Sequence, residues 1–209
     1  MNLENITDKI FHLNFPNQYL LASTFHRFQE HYESPKFRGK IFTLEEYMDW
    51  YASEKGNFTY FEDWAGFNIP SYVLQPFYEG KFDPLLEKEK KLLSLFKKKE
   101  GIFYIIGTFG DKNQSTLKHE IAHGLFYTVP DYKKDVLALL STVDTRKIRR
   151  ELMKDCGYCK EVLYDETHAY LLGSLSDWRK KRIINKSHED IKMSLENIYQ
   201  KYYNLETKK

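Results

Sequence analysis

The chain has little of what would place it in several large protein classes. Only two cysteines occur among its 209 residues, Cys156 and Cys159 in DCGYCK. No second pair exists, so a four-cysteine zinc cage is excluded. A lone C-x-x-C is open to use as a redox pair or half of a zinc site, but we read the two as reduced thiols near a helix end. Charge of neither sign dominates: 32 basic residues stand against 30 acidic ones, a net +2. That balance leaves no footprint for a nucleic-acid partner, whose binders concentrate positive charge on one face. No apolar run approaches the roughly 20 residues needed to cross a bilayer, so no membrane partner is expected. The opening MNLENITDKIF lacks the basic start and apolar core of a secretory signal. A cytoplasmic chain is expected, with export by an unconventional route left open. Repeats, low-complexity tracts and a Gly/Ser/Pro linker are also missing, which favours one domain over residues 1–209.

Aromatic side chains, by contrast, are plentiful. Sixteen tyrosines and fifteen phenylalanines imply a core built from large rings, several with a polar tip. After a short apolar start, a helix is expected over about Pro16–Tyr32. Thr43-Leu-Glu-Glu46 has the form of a capping box, opening a helix that stops before Gly56. Asn57 to Pro70, NFTYFEDWAGFNIP, reads as an ordered loop or short strand, and its rings suit core packing better than a substrate groove. Ser71 is expected to cap a short helix to about Tyr78. Asp83-Pro84 is expected to open a helix whose last turn carries lysines, with Gly101 beyond. GIFYIIGTF, Gly101 to Phe109, is a dense run of β-formers and reads as a strand. A polar turn, GDKNQ, leads to Ser115 or Thr116 as cap of a helix to Tyr127. Further helices are expected over Asp131–Leu140, Thr145–Lys154, Val162–Leu172 and Asp190–Tyr203, followed by a frayed ETKK tail. The fold class is therefore α+β and mainly helical, with a small mixed sheet packed on the helix after GIFYIIGTF. About 1–110 would hold N-terminal helices and the sheet, and 115–209 a helical part.

That helix contains LKHEIAHGLFY, Leu117 to Tyr127. His119 and His123 are four apart, so both imidazoles project from one face and can reach one Zn²⁺ at about 2.0–2.1 Å. Glu120 leans toward the edge of the same face. It can serve a water activated by the metal as general base, and return the proton to a leaving amine. A chain of this composition yields roughly 0.02 chance matches to His-Glu-x-x-His. The flanking Leu117, Ile121, Leu125 and Phe126 are apolar, and buried histidines with a carboxylate between them are costly unless paired or liganded.

STLKHEIAHGLF resembles the active-site helix of the zincin metallopeptidases. The resemblance implies a minimal zincin-like catalytic domain, one zinc ion per chain, and a peptide or protein substrate. It also implies that the preceding strand, Phe103 to Phe109, is an edge strand that pairs with extended substrate. The metzincin extension after His123 is absent. Glu166, in YDETHAYLL with Ala169 one turn on, resembles the second motif of the gluzincins, where the glutamate is the third ligand and the small residue allows close helix packing. Asp165, His168 and His188 are rival ligands. His168, Tyr170 and His188, and also Tyr164, are candidate transition-state stabilisers. Asp135 or another acid would orient a ligand histidine. The alternative expectation is a zincin-like interaction or effector protein, without proteolysis, that keeps a structural metal site.

Overall fold

Phe11, Leu13 and Phe15 alternate with His12 and Asn14, the period of two that a pleated strand requires. In a computed structural model, which describes residues 1–110, 114–173 and 175–208 (the side chains of 114, 155, 156, 176 and 177 are outside that description), Ile10–Phe15 is strand β2. It pairs antiparallel with β1, Asn2–Asn5, and Thr7 closes the turn, its Oγ1 accepting from Ile10 N at 3.1 Å. The expected apolar start is thus a hairpin. Helix α1, Gln18–Glu33, begins at Asn17, whose side chain accepts from Leu20 N at 2.9 Å. Helix α2, Leu44–Lys55, has the expected capping box: Thr43 N donates to Glu46 Oε2 and Glu46 N to Thr43 Oγ1. Gly56 ends it at φ +87, a conformation few other residues tolerate.

The aromatic segment divides into α3, Tyr60–Asp63, and β3, Gly66–Pro70. A 3₁₀ turn, Ser71–Leu74, and α4, Gln75–Tyr78, follow. Ser71 does not cap them; its Oγ accepts from Phe103 N at 3.3 Å. Helix α5, Glu87–Phe96, starts later than Asp83-Pro84 suggests, because Glu89 reaches back to Leu86 N at 2.8 Å and sets the start there. Its last turn holds none of the expected lysines, which lie just beyond.

Strand β4, Tyr104–Phe109, leads to α6, Gln114–Thr128. Ser115 and Thr116 lie inside that helix, and most of the expected turn, 111–113, lies outside the described residues. Pro130 opens α7, Pro130–Leu140. Helix α8, Arg146–Glu151, runs into a π turn, Leu152–Cys156, that Gly157 stops at φ +75. Cys159 is a buried free thiol, while the Cys156 side chain lies outside the description. A 3₁₀ turn, Lys160–Val162, feeds α9, Leu163–Leu172. Helix α10, Ser176–Lys180, precedes α11, Lys186–Glu206, which starts earlier than expected because Asn185 caps it, accepting from His188 N, and runs through Glu206, the start of the ETKK tail.

The chain is therefore α+β, mainly helical, around one mixed four-stranded sheet ordered β1-β2-β4-β3. β2 and β4 are parallel; the outer pairs are antiparallel. Strand β4 lies in the interior, which corrects the expectation of an edge strand at Phe103–Phe109. The hairpin covers one side of β4 and β3 the other, so its backbone groups are used within the sheet. The edge on the side of the HEIAH helix is β3.

Alternation sorts the strand residues between two cores. Phe11, Leu13, Phe67, Ile69 and Ile105 join an aromatic cluster with α1. Ile10, Tyr104 and Ile106 join a second cluster with α6, α7, α9 and α11. Glycines permit the close approach on each face. A Cβ on Gly107 would lie 2.6 Å from Phe25 of α1, and one on Gly124 of α6 would lie 2.9 Å from Ile10. No helix among the described residues is long and apolar enough to cross a membrane.

Candidate metal centre

Helix α6 presents its apolar residues Ile121, Ala122 and Leu125 to the second core and turns His119 and His123 toward α9. Their Nε2 atoms are 3.2 Å apart. From α9, Glu166 places Oε1 3.6 Å from His123 Nε2 and Oε2 4.0 Å from His119 Nε2. One donor atom from each of the three residues lies within 4.8 Å of the others, the one such group of three or more among the described residues. Four tetrahedral arms of about 2.1 Å put neighbouring donors about 3.4 Å apart. The observed separations bracket that value, and two imidazoles with a carboxylate form an ordinary zinc donor set. The group could hold a metal ion.

Asp165 orients one of the two histidines. His123 Nδ1 lies 2.8 Å from Asp165 Oδ1, so Nδ1 carries the proton and Nε2 keeps its lone pair toward His119 and Glu166. Successive residues of α9 thus take two tasks, Asp165 behind the histidine and Glu166 in front of it. Asp165, a rival ligand by sequence, is not in the donor group. Burial drives His119 and His123 down to about 3, so both imidazoles are neutral.

Glu120 is held from the sheet rather than from its own helix. Asn68 Nδ2 donates to its Oε2 at 2.8 Å, and Asn68 Oδ1 in turn accepts from Tyr104 OH. Asn68 N donates to Gln29 Oε1 at 3.0 Å, which ties β3 to α1. The other oxygen of Glu120 stands against Gly66, where a Cβ would come within 2.2 Å of it. Burial raises the Glu120 carboxyl to about 8, with Asn68 acting in the opposite direction.

Two clefts meet at this point. One of about 600 Å³ runs from His119 and Glu120 under α1 and α2. A shallower one, of about 280 Å³, is bounded by Tyr170, Thr116 and Gly173. Trp64, Gly66, His119, Glu120 and Tyr158 line both. The segment expected to favour core packing does both jobs: Tyr60, Phe67 and Ile69 enter the core, while Trp64, Gly66 and Asn68 face the larger cleft.

The other sequence candidates are placed as follows. Tyr170 lies beside the group, its ring edge-on to His119 at 4.9 Å and stacked on Trp178 at 5.1 Å. His168 is fully buried behind Asp165, its ring stacked on Phe126, and it lines neither cleft. His188 spends both ring nitrogens on structure, Nδ1 accepting from Asn185 N and Nε2 meeting Asp144 O. Tyr164 is 44% exposed under Arg149, and Asp135 pairs with Tyr202 and Lys201. The acid that orients a histidine is therefore Asp165, not Asp135. Asn68, Gly66 and Tyr158 were not singled out from sequence. For the first two a signal existed, since they alternate with Phe67 and with the bulky flank in AGFNIP. Comparisons of the chain with protein-family models, with curated proteins and with solved structures found no match.

Proposed function

We propose that the chain is a zinc-dependent hydrolase, most akin to the gluzincin peptidases, acting on peptides or proteins. The observation that carries this reading is the convergence of His119, His123 and Glu166 next to a cleft-lining carboxylate, Glu120. A zinc ion held by the three would act as a Lewis acid, polarising a substrate carbonyl and acidifying a water. Asp165 holds His123 in the tautomer that ligation needs. Glu120 takes the proton of the attacking water at the oxygen beside Gly66 and returns it to the leaving amine, while Asn68 fixes the other oxygen. Tyr170 and Tyr158 line the shallower cleft beside His119 and would be the donors to a developing oxyanion. An extended substrate would run along β3, the edge that Gly66 and Asn68 bring to the cleft.

Two measurements test this. Mass spectrometry of metal content should find one zinc per chain after zinc is offered, and a loss in Glu166→Ala. Glu120→Gln should keep the zinc and lower hydrolysis of a casein or peptide-library substrate by about 10²–10⁴-fold. Absence of zinc binding would sink the whole reading. A Glu120→Gln protein indistinguishable from wild type would leave the alternative, an interaction or effector protein with a structural metal site.

A further inference from the structure

Beyond the donor group, the larger cleft is also lined by two carboxyl groups that the proposed chemistry does not use. Glu30 and Glu33 are one turn apart on α1 and face the same cavity as His119 and Glu120. Glu30 is 8% exposed, with Tyr60, Tyr47 and Ser34 in hydrogen-bonding reach; Gln29 serves Glu33, whose Oε2 is closed to solvent with no hydrogen-bond partner. Among the described residues, neither carboxylate forms an ion pair with a lysine, arginine or histidine. Lys55 stands exposed at the rim, and Asp63 there is engaged by Tyr51 and Thr59. The half-buried rings of Trp50, Trp64 and Tyr158 form much of the remaining wall, and the core residues Tyr47 and Tyr60 reach it with their hydroxyls, beside Glu30.

Two neighbouring buried carboxylates repel one another and are costly without a counter-charge. Burial accordingly pushes both upward, Glu30 to about 7. Neither carboxyl belongs to the group that could hold a metal ion among the described residues, although Glu33 lies within electrostatic reach of Glu120 and Asp165. Aromatic faces and carboxylates together suit an organic cation, which gains from both the charge and the ring quadrupoles. A volume of about 600 Å³ is in the range of small-ligand sites and exceeds what the reacting bond alone needs.

We propose that the Glu30–Glu33 wall of the cleft binds a positively charged group of the substrate, an ammonium or guanidinium carried by a peptide, and so makes the enzyme selective for basic peptides. The hydrolase reading enters here only in orienting the cleft: the cation would anchor the chain so that a neighbouring peptide bond lies at His119 and Glu120.

The test measures binding, not turnover. Glu120→Gln protein, with and without zinc, is titrated by fluorescence anisotropy with labelled hexapeptides differing at one position, Arg, Lys, Leu or Glu, each with a free or an acetylated N-terminus. The Arg and Lys peptides should bind about tenfold or more tighter than the Leu peptide, and Glu33→Gln in the same background should remove that preference. Tight binding of every free-amine peptide, lost on acetylation, would identify the cation as the α-amino group instead of a side chain. Equal affinity across the series overturns the proposal. A second measurement needs no variant at the acidic wall. n-Butylguanidinium should displace the bound peptide, and its neutral isostere n-butylurea should not; equal competition by both, or by neither, also overturns it. Cleavage without preference for basic peptides would leave the hydrolase standing and remove the cation pocket. Selective binding by a protein that takes up no zinc would do the reverse.

Discussion

On the α1 face of the sheet, Arg27 donates from Nε to Glu89 Oε1 at 2.7 Å and from Nη1 to Phe82 O at 3.0 Å, while Glu89 also accepts from Leu86 N. Opposite charges meet there, and every strong donor has an acceptor. On the α6 face, Asp165 meets the neutral imidazole of His123, and Glu120 meets the amide of Asn68. Both sets are buried, yet only the first is electrically closed. The closed pair ties α1 to α5. A set of carboxylates and neutral imidazoles keeps lone pairs aimed at a common point, which is what binding a cation requires. Burial alone, then, does not set the two clusters apart; charge balance does.

The sharpest way to break this contrast is to open the closed pair. Arg27→Leu leaves Glu89 buried without its partner and should cost about 3–5 kcal/mol in urea denaturation. Adding Glu89→Leu should recover most of that loss, because the pair as a whole is replaceable by apolar packing. If the double variant is as unstable as the single one, the pair is not a self-contained unit.

Glu30 sharpens the comparison within one helix, since α1 carries both the charge-paired Arg27 and this carboxyl, which has hydroxyl neighbours but no counter-charge. Its raised value, about 7 against 4.5, means the folded state keeps a proton that the unfolded chain has already released. Its contribution is therefore complete below pH 4.5 and is lost as pH rises to about 7, by up to about 3 kcal/mol. Urea melts at pH 4, 6 and 8 should show a smaller decline in Glu30→Gln than in the wild type. Parallel declines would mean that Glu30 is not the source.

The smallest expected effect lies behind the donor group. Asp165→Asn keeps the shape but weakens the acceptor for His123 Nδ1–H, and should lower zinc affinity by about 10–100-fold, measured against a chromophoric chelator. An unchanged affinity would show that the α6 cluster does not depend on that carboxylate.

Much of this was legible from local spacing. The capping box at Thr43, the stops at Gly56 and Gly157, and the strand in FYIIGTF follow from backbone rules that act over a few residues. Where the reading failed, a distant partner decided. Asp83-Pro84 lost the helix start to Glu89, whose side chain both caps α5 and pairs with Arg27 of α1. His188 carries the chemistry of a ligand but sits in the first turn of α11, so its nitrogens serve the cap and the Asp144 carbonyl. The N-terminal hairpin was masked by polar residues in β1, which packs no face into the core.

By itself the sequence determined a mainly helical α+β chain and one helix with His119, Glu120 and His123 in fixed relation, because four residues make one helical turn whatever surrounds them. Tertiary structure alone decided the rest. Asp165 reaches His123 across 42 residues and Asn68 reaches Glu120 across 52. Strand β4 became an interior strand because the first fifteen residues fold back beside it. Such pairings depend on which surfaces the sheet and helices bury together, and no spacing along the chain encodes that.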